Sequence, residues 1–135
     1  MDFDLVKDTL KGHEGLRLSP YRCSRGKLTI GYGRNIDERG VSVLEAERLL
    51  DNDILDAVAD LTALLGTVFV SALDRRQIAL IDMRFQLGAL GFRRFVKMVR
   101  AIWQHDWPEA ARQVEDSLYF KQTTERATWV RDSLK

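Results

Sequence analysis

Three side chains near the start of the sequence have types and spacing that suit acid and base chemistry: Glu14, Cys23 and Thr29. A carboxylic acid can donate a proton, a thiolate can act as a base or a nucleophile, and a hydroxyl can orient water. Hydrolysis of a glycosidic bond needs a proton donor for the leaving oxygen and a second group that activates water or forms a covalent bond. Glu14 suits the first role, and Cys23 could supply the second.

Cys23 is the only cysteine of the chain. A lone cysteine is most often a small, buried apolar residue. Its neighbours argue for another role, because residues 22–26 have the sequence RCSRG, a polar, turn-like cluster that favours an exposed functional side chain. At the reference pKa of a thiol only a few per cent is thiolate near neutrality. The residues alone therefore leave both interpretations open.

Short elements of regular structure must position these groups. Phe3, Val6 and Leu10 share one face of a predicted helix over residues 2–11, which we expect Gly12 to end. Between residues 16 and 32 the pattern changes to short alternating pieces, which predict a small hairpin or a three-stranded sheet. Glu14 would then lie just past a helix end, beside the segment that carries Cys23 and Thr29.

The rest of the chain has helical periodicity. Ser42 and Glu45 have the spacing of a capping box, and apolar residues then recur at helical spacing until Gly66. Further helices are predicted over residues 71–87 with a break at Gly88, over 92–104, from Asp106 onward, and after residues 123–124. The tryptophans at positions 103, 107 and 129 fall on apolar helical faces, which predicts that they are core residues.

The composition fits one globular domain of 135 residues, with 45% hydrophobic and 30% charged residues. We expect an α+β fold that is mainly helical. A small β lobe over about 13–41 is followed by a connecting helix over about 42–65 and a helical lobe over about 66–135, on which the helix 2–11 packs. A cleft between the two lobes is the expected place for a ligand.

Several functional classes are disfavoured by the same residues. One cysteine and two histidines, His13 and His105, make a metal site implausible, and we expect no cofactor. The net charge of +1 disfavours nucleic acid as a partner, although residues 93–100 (RRFVKMVR) form a local basic stripe that we interpret as a solvated helix face. The sequence shows no signal peptide and no membrane-spanning segment, so we expect a cytoplasmic location at first, with no stable membrane insertion.

The segment EGLRLSPYRCSRGKLTIGYG (residues 14–33) resembles the active-site segment of the phage lysozymes, also called endolysins, of glycoside hydrolase family 24 and of the T-even phage type. The family pattern is a Glu, eight residues, an Asp or Cys, five residues and a Thr, and Glu14, Cys23 and Thr29 fit both intervals. Similarity continues downstream in ALIDMRFQLG (residues 79–88), in EAA after Trp107, and in QTTERA. The resemblance therefore covers most of the chain.

The resemblance implies a muramidase that cleaves peptidoglycan between N-acetylmuramic acid and N-acetylglucosamine. It makes Glu14 the general acid, lets Cys23 activate or replace the attacking water, and has the Thr29 hydroxyl hold that water in line. The implied substrate-binding residues are Gly33, Arg34, Phe85, Gln86 and Thr123, and Arg126 matches an arginine that pairs with the catalytic acid. It also predicts an ion pair between Arg34 and Asp53.

The implied biology is that of a monomeric endolysin. It would stay in the host cytoplasm until a holin releases it to act on the wall in the periplasm, with bacterial peptidoglycan as its partner. The sequence also departs from the family, since only seven residues separate Arg34 from Ser42, so we expect a β lobe smaller than in longer members. The alternative is a catalytically impaired lysozyme-fold protein that binds cell wall or plays a structural role, because Cys23 stands where many members carry Asp.

Overall fold

The computed structural model describes residues 1–135 and is mainly helical, with one small antiparallel sheet. The elements in chain order are α1 (Phe3–Glu14), β1 (Arg17–Arg22), β2 (Leu28–Gly31), β3 (Arg34–Asn35), α2 (Ile36–Arg39), α3 (Val43–Leu65), α4 (Thr67–Val70), α5 (Asp74–Arg93), α6 (Val96–Trp103), α7 (Trp107–Glu115), α8 (Leu118–Gln122) and α9 (Thr124–Leu134). This arrangement confirms the predicted α+β class. None of the helices is both long and apolar enough to span a membrane.

The chain forms two compact units, residues 1–48 (unit 1) and residues 49–135 (unit 2), and the boundary falls inside α3. Unit 1 contains α1, the sheet and α2, and unit 2 contains α4 to α9. The predictions of one catalytic domain and of the first helix packing on the helical lobe concern both units together, and they stay predictions.

The first helix extends further than predicted. The Asp2 side chain caps α1 by accepting a hydrogen bond of 3.0 Å from the Leu5 N–H. The helix then continues through Gly12 and ends at Gly15, whose φ is 69° and whose N–H donates to the Lys11 carbonyl. A glycine ends a helix where it takes positive φ, which other residues rarely adopt. The expected stop at Gly12 was therefore wrong, and Glu14 is the last residue of α1 rather than a loop residue.

The sheet has the strand order β1-β2-β3, with both pairs antiparallel. Thr29 of β2 lies opposite Tyr21 of β1 on one side and opposite Asn35 of β3 on the other. The three-stranded sheet is as predicted, but its third strand lies beyond residue 32, where the predicted β pattern ended. The sheet therefore places Thr29 on its central strand.

The long helix α3 begins where the capping box predicted. The Ser42 hydroxyl oxygen accepts a hydrogen bond of 3.1 Å from the Glu45 N–H. This bond satisfies one of the amide groups that a helix start leaves without a partner. The helix ends at Leu65, before Gly66 with φ of 62°, also as predicted.

Unit 2 holds the hydrophobic core of the protein. Its largest fully buried side chains are Leu61, Leu80, Met83, Phe92, Met98, Ile102, Val114, Val130 and Leu134. The break predicted at Gly88 is a kink inside α5, where this residue has φ of 76° and ψ of 170°. Asp106 caps α7 by accepting from the Glu109 N–H at 3.1 Å, again as predicted. The two short helices α4 and α8 were not predicted.

The tryptophans do not share one environment. Trp107 is a core residue, only 7% exposed, and the Arg76 guanidinium lies 4.6 Å from the centre of its ring. Trp103 is 51% exposed and Trp129 is 46% exposed, so the prediction of core positions was wrong for these two. The Trp103 indole N–H donates to the Leu64 carbonyl at 3.0 Å, which ties the ring to the surface of unit 2.

The cations of the basic stripe, Arg93, Arg94, Lys97 and Arg100, are all exposed, as predicted. Arg93 also pairs with Asp60, which in addition accepts from Arg84 at 2.9 Å. The Asp60 and Arg84 side chains are 15% and 17% exposed, so this ion pair joins α3 to α5 at the edge of the core.

Candidate active site

The Glu14 carboxyl group lies against Gly33. A Cβ atom built on Gly33 would stand 2.6 Å from Glu14 Oε2 and 2.8 Å from its Cδ, which is closer than van der Waals contact permits. Gly33 also has φ of 72°, a conformation that side chains disfavour. Two independent constraints therefore require glycine here. Together they let the acid lie on the turn that joins β2 to β3.

Cys23 lies in the tight turn that joins β1 to β2. Its N–H donates to the Lys27 carbonyl at 2.9 Å, and its own carbonyl accepts from the Gly26 N–H at 2.8 Å. Gly26 provides the positive φ of 76° that closes the turn, and Arg22 Nη1 donates to the Gly26 carbonyl at 3.1 Å. Cys23 is partly exposed and lies outside the core of buried side chains. Of the two open interpretations, the structure excludes the buried apolar cysteine.

The turn favours the thiolate form of Cys23. Backbone hydrogen bonds from Lys27 and Arg25 lower the pKa of the thiol below its ordinary value of 9.0. A hydrogen bond from the Thr29 side chain and the nearby charge of Arg25 lower this pKa further, and partial burial acts in the opposite direction. A lowered pKa makes a cysteine a better base or nucleophile near neutrality.

Thr29 is the only buried polar residue, with 4% of its surface exposed. Its hydroxyl donates to the Lys27 carbonyl at 2.9 Å, within the same turn that holds Cys23. A threonine hydroxyl has one proton, so it can donate either to this carbonyl or to a thiolate at Cys23, but not to both. The structure thus brings Cys23 and Thr29 together, as their spacing led us to expect.

Glu14 and Cys23 are held at opposite ends of β2. Cys23 belongs to the turn before this strand, and Gly33, on which the Glu14 carboxyl lies, belongs to the turn after it. A strand of four residues is roughly 10 Å long, at about 3.3 Å per residue over three intervals. Thr29 lies between the two turns, on the strand itself.

Asp37 fixes the start of β2, a role that was not predicted from the sequence. Its Oδ2 accepts a hydrogen bond of 2.7 Å from the Leu28 N–H, so α2 is attached to the sheet next to the Cys23 turn. Lys27 forms a second link to α2, with Nζ 3.1 Å from Glu38 Oε1. An acidic residue in a short helix is usually exposed to solvent, and no sequence pattern distinguishes such an acid from one that binds a strand.

Arg34 pairs with Glu45 and not with the predicted Asp53. Its Nη1 and Nη2 donate to the two Glu45 carboxylate oxygens at 2.6 and 2.9 Å, and Nη1 also donates to the Gly40 carbonyl at 3.1 Å. Asp53 lies eight residues further along the same helix, about 12 Å away at 1.5 Å per residue. The Arg34 guanidinium therefore binds Glu45, which is the acid nearer to the start of α3. The substrate-binding role of Arg34 stays a prediction.

Unit 2 brings three of the predicted site residues together. Gln86, Thr123 and Arg126 line one pocket of about 530 Å³, with Thr124, Glu125 and Trp129. Arg126 donates to Asp82 through Nε at 2.8 Å and through Nη2 at 2.7 Å. Asp82 is thus its partner within unit 2, and the implied pairing of Arg126 with Glu14 stays a prediction.

Phe85 lies in another pocket of unit 2, apart from its neighbour Gln86. It is 44% exposed and lines a pocket of about 310 Å³ with Asp53, Asp56 and Arg84. Consecutive residues of a helix point about 100° apart, so these two side chains face different surfaces. Substrate contacts of both residues stay predictions.

The α+β fold, mainly helical with one small three-stranded antiparallel sheet, is consistent with a lysozyme-like protein. Comparison with protein families matches residues 11–127 to the family described as "Phage lysozyme". The chain belongs to the phage lysozyme family.

Individual relatives agree with this assignment. The chain is 29% identical to "Probable T4-type lysozyme 2" of Dictyostelium discoideum, over 93% of this chain and 90% of that protein. It is also 29% identical to "Pre-baseplate central spike protein Gp5" of Enterobacteria phage T4, where it spans 93% of its own length but only 26% of that protein. An "Endolysin" of Acyrthosiphon pisum secondary endosymbiont phage 1 is 38% identical over 62% of this chain and 57% of its own length. These names support a lysozyme-like glycoside hydrolase.

The alignment with one relative contains gaps. The alignment with the Dictyostelium protein covers 153 positions, more than the 135 residues of this chain. The relative therefore contains segments that this chain lacks, and the smaller β lobe stays a prediction.

Proposed function

We propose that this protein is a muramidase that hydrolyses the β-1,4 bond between N-acetylmuramic acid and N-acetylglucosamine in bacterial peptidoglycan. The observation that carries the proposal is the arrangement around β2: the Glu14 carboxyl on Gly33 at one end, and the Cys23 thiol with its lowered pKa beside Thr29 at the other. Membership of the phage lysozyme family supports the same substrate class.

In this proposal Glu14 is the general acid. It gives its proton to the glycosidic oxygen as the bond to the anomeric carbon breaks, so the leaving sugar departs as an alcohol. The Glu14 carboxyl occupies the space that a side chain at Gly33 would need, so glycine at this position lets the acid lie against the turn. We propose that Arg126 pairs with this acid, as the resemblance to the family implies.

Cys23 acts as the base in the proposed mechanism. Its thiolate takes a proton from a water molecule, whose oxygen bonds to the anomeric carbon as the leaving oxygen departs. We propose that Thr29 orients this water, and that its attack from the face opposite the leaving oxygen inverts the anomeric carbon.

The remaining predicted residues would bind the glycan. We propose this role for Gly33 and Arg34 in unit 1, and for Phe85, Gln86 and Thr123 in unit 2. Endolysin use in host cell lysis, with holin-dependent release from the cytoplasm to the wall, is likewise proposed, and the relative named "Endolysin" supports it. We expect the protein to act as a monomer.

The competing function is a lysozyme-fold protein that binds the wall without turnover, and the presence of Cys23 where many members carry Asp favours it. The turbidity of a purified peptidoglycan suspension separates the two functions, because it falls only if the protein hydrolyses the wall. We expect the wild-type chain to clear the suspension and Glu14→Gln, with wild-type circular dichroism, to be slower by roughly 10²-fold or more. Wall binding without clearing by the wild type establishes the competing function.

A further inference from the structure

The outer face of α6 carries cations and apolar side chains together. Consecutive helical residues lie about 100° apart, which places Val96, Arg100 and Trp103 within about 60° of one another, with Lys97 next to Arg100. All four side chains are exposed, and Val96 and Trp103 are each exposed to 51%. The opposite face of the helix is buried in the core of unit 2 and consists of Met98, Val99, Ala101 and Ile102. We call the exposed face, formed by Val96, Lys97, Arg100 and Trp103, the α6 surface.

The positive charge at the α6 surface is not neutralised within the protein. α6 contains no acidic residue, and neither Lys97, Arg100 nor the exposed Arg94 just before the helix forms a salt bridge. A solvated helix face usually mixes both signs, as α7 does, where Arg112 Nε lies 2.7 Å from Glu109 Oε2. The bond from Arg112 lowers the pKa of Glu109 to about 2, and Lys97 has only a minor effect on it. The cations of the α6 surface are therefore available to an external anion.

The exposed part of Trp103 is hydrocarbon. Its indole N–H donates to the Leu64 carbonyl at 3.0 Å, so the one hydrogen-bonding group of this side chain is satisfied within the protein. A groove of about 250 Å³ next to this ring is lined by Leu64, Val96, Val99 and Trp103 together with Arg93 and Arg100. Apolar carbon and guanidinium groups thus lie side by side on this surface.

An anionic lipid bilayer matches both properties of the α6 surface. Its headgroup region presents negative phosphate groups next to hydrocarbon, and tryptophan and aliphatic side chains partition into this interface while cations bind the phosphates. A soluble polyanion such as a nucleic acid would match the cations alone, and it gives no reason for an exposed valine beside them. The combination favours the lipid surface.

We propose that the α6 surface binds reversibly to anionic phospholipid bilayers. Arg94, Lys97 and Arg100 bind the lipid phosphates, and the side chains of Val96 and Trp103 enter the interface. Two apolar side chains anchor a protein only weakly, so the binding is peripheral and depends on charge. This binding requires no hydrolysis and goes beyond the proposed function. In the proposed route from the cytoplasm to the wall, it would concentrate the protein at the membrane.

Sedimentation of the full chain with lipid vesicles tests the proposal. One set of vesicles is phosphatidylcholine alone, and the other is equal parts of phosphatidylcholine and phosphatidylglycerol. The test variant combines Lys97→Gln with Arg100→Gln. The matched control combines Lys7→Gln with Arg48→Gln, which changes the net charge equally at two exposed cations of unit 1 without salt bridges. Circular dichroism checks that both variants fold.

We expect the wild type to bind the vesicles that contain phosphatidylglycerol and not those of phosphatidylcholine alone, with an affinity that falls as salt is added. The test variant should bind roughly 30-fold more weakly, about fivefold for each cation removed, and the control variant should bind nearly as the wild type does. No binding by the wild type, equal binding to the two kinds of vesicle, or an equal loss in the two variants overturns the proposal.

Tryptophan emission tests whether the apolar side chains enter the interface. Binding to the anionic vesicles should move the emission to shorter wavelength in the wild type and in Trp129→Phe, but not in Trp103→Phe. Soluble polyphosphate is the comparison anion. If it binds as tightly as the anionic vesicles, and the vesicles leave the Trp103 emission unchanged, the surface is a general polyanion site and the membrane assignment is wrong.

Clearing of purified, lipid-free peptidoglycan separates this inference from the proposed function. The variant with Lys97→Gln and Arg100→Gln should clear the wall as fast as the wild type, because these side chains have no part in the proposed reaction. Vesicle binding by a wild type that does not clear the wall contradicts the proposed function alone. A tenfold slower clearing by this variant, with wild-type circular dichroism, would assign the cations to the wall and overturn the membrane assignment.

Discussion

The Glu14 carboxyl group occupies the space that a side chain at Gly33 would need, with 2.6 Å between Oε2 and the position of a Cβ atom. Substitution Gly33→Ala must therefore move either the turn or the acid. We expect it to lower the rate of wall clearing by tenfold or more, because a displaced acid no longer meets the glycosidic oxygen.

Gly31→Ala is the control for this prediction. Gly31 also has positive φ, 69°, but no atom lies within 4 Å of the position of its Cβ. Both alanine variants should lose about 1–2 kcal/mol of stability through the strained backbone, as measured by urea unfolding. Equal activity of the two variants would show that the contact between Gly33 and Glu14 is irrelevant to catalysis.

The pKa of Cys23 should be visible in its reactivity. Because the backbone bonds from Lys27 and Arg25 lower this pKa, the rate of alkylation by iodoacetamide should rise with pH around a midpoint below 9.0 in the folded protein. The urea-unfolded chain supplies the control, and its midpoint should lie higher. Coincident midpoints contradict the effect of the turn.

Replacement of Cys23 tests its role as a base. Cys23→Ala should lose most of the wall-clearing activity, whereas Cys23→Asp should keep a substantial part, since a carboxylate also directs water to the anomeric carbon. Activity of the wild type should rise with pH as the thiol ionises, and that of the aspartate variant should not rise in the same range. Full clearing by Cys23→Ala makes this residue a spectator and leaves Thr29 to orient the water.

The bond between Arg34 and Glu45 should couple these residues in stability. A double-mutant cycle with Arg34→Met and Glu45→Gln should give a small coupling that falls with salt, because both side chains are partly exposed. Arg34 lowers the pKa of Glu45 below 4.5, so the coupling is complete above that pH and is lost as the pH falls through the lowered pKa. The same cycle with Asp53→Asn in place of Glu45→Gln should give no coupling. A larger coupling with Asp53 than with Glu45 would support the predicted pair of Arg34 and Asp53 instead.

Asp60 should stabilise unit 2 through its bonds to Arg84 and Arg93. Burial raises its pKa, but the two guanidinium groups outweigh this effect and hold it below the ordinary value of 3.8. Asp60→Asn should cost about 1–3 kcal/mol in thermal or urea unfolding at pH 7, and this cost should shrink as the pH falls through the lowered pKa. Asp51→Asn, exposed on the same helix, should be neutral.

Local signals in the sequence predicted the elements well where one backbone bond decides the outcome. Ser42 and Asp106 begin α3 and α7 because each side chain accepts an N–H three residues on, and this geometry depends on neighbours alone. The hydrogen-bond partner of a side chain is harder to predict, because it can come from a distant part of the sequence. In a capping box the Glu45 carboxylate would turn back to its own helix, but a guanidinium from β3 offers two stronger bonds.

The errors have similar causes. Gly12 and Gly15 look alike in the sequence, and only the direction of the following chain decides which of them takes positive φ. Helical spacing places Trp129 on an apolar face and so predicts a core position. The spacing does not show that Ala127, Val130 and Leu134 already fill the core face of α9. The contact of Glu14 with Gly33 joins a helix end to a turn, and no pattern in the sequence indicates it.

Analysis of the new reducing ends in digested peptidoglycan tests the central claim most directly. The wall fragments are reduced with borohydride and hydrolysed, and the reduced amino sugars are identified. We predict that the wild-type chain produces new N-acetylmuramic acid ends and that Glu14→Gln, folded as the wild type, produces almost none. New N-acetylglucosamine ends, or muramic acid ends formed equally fast by Glu14→Gln, would contradict the account.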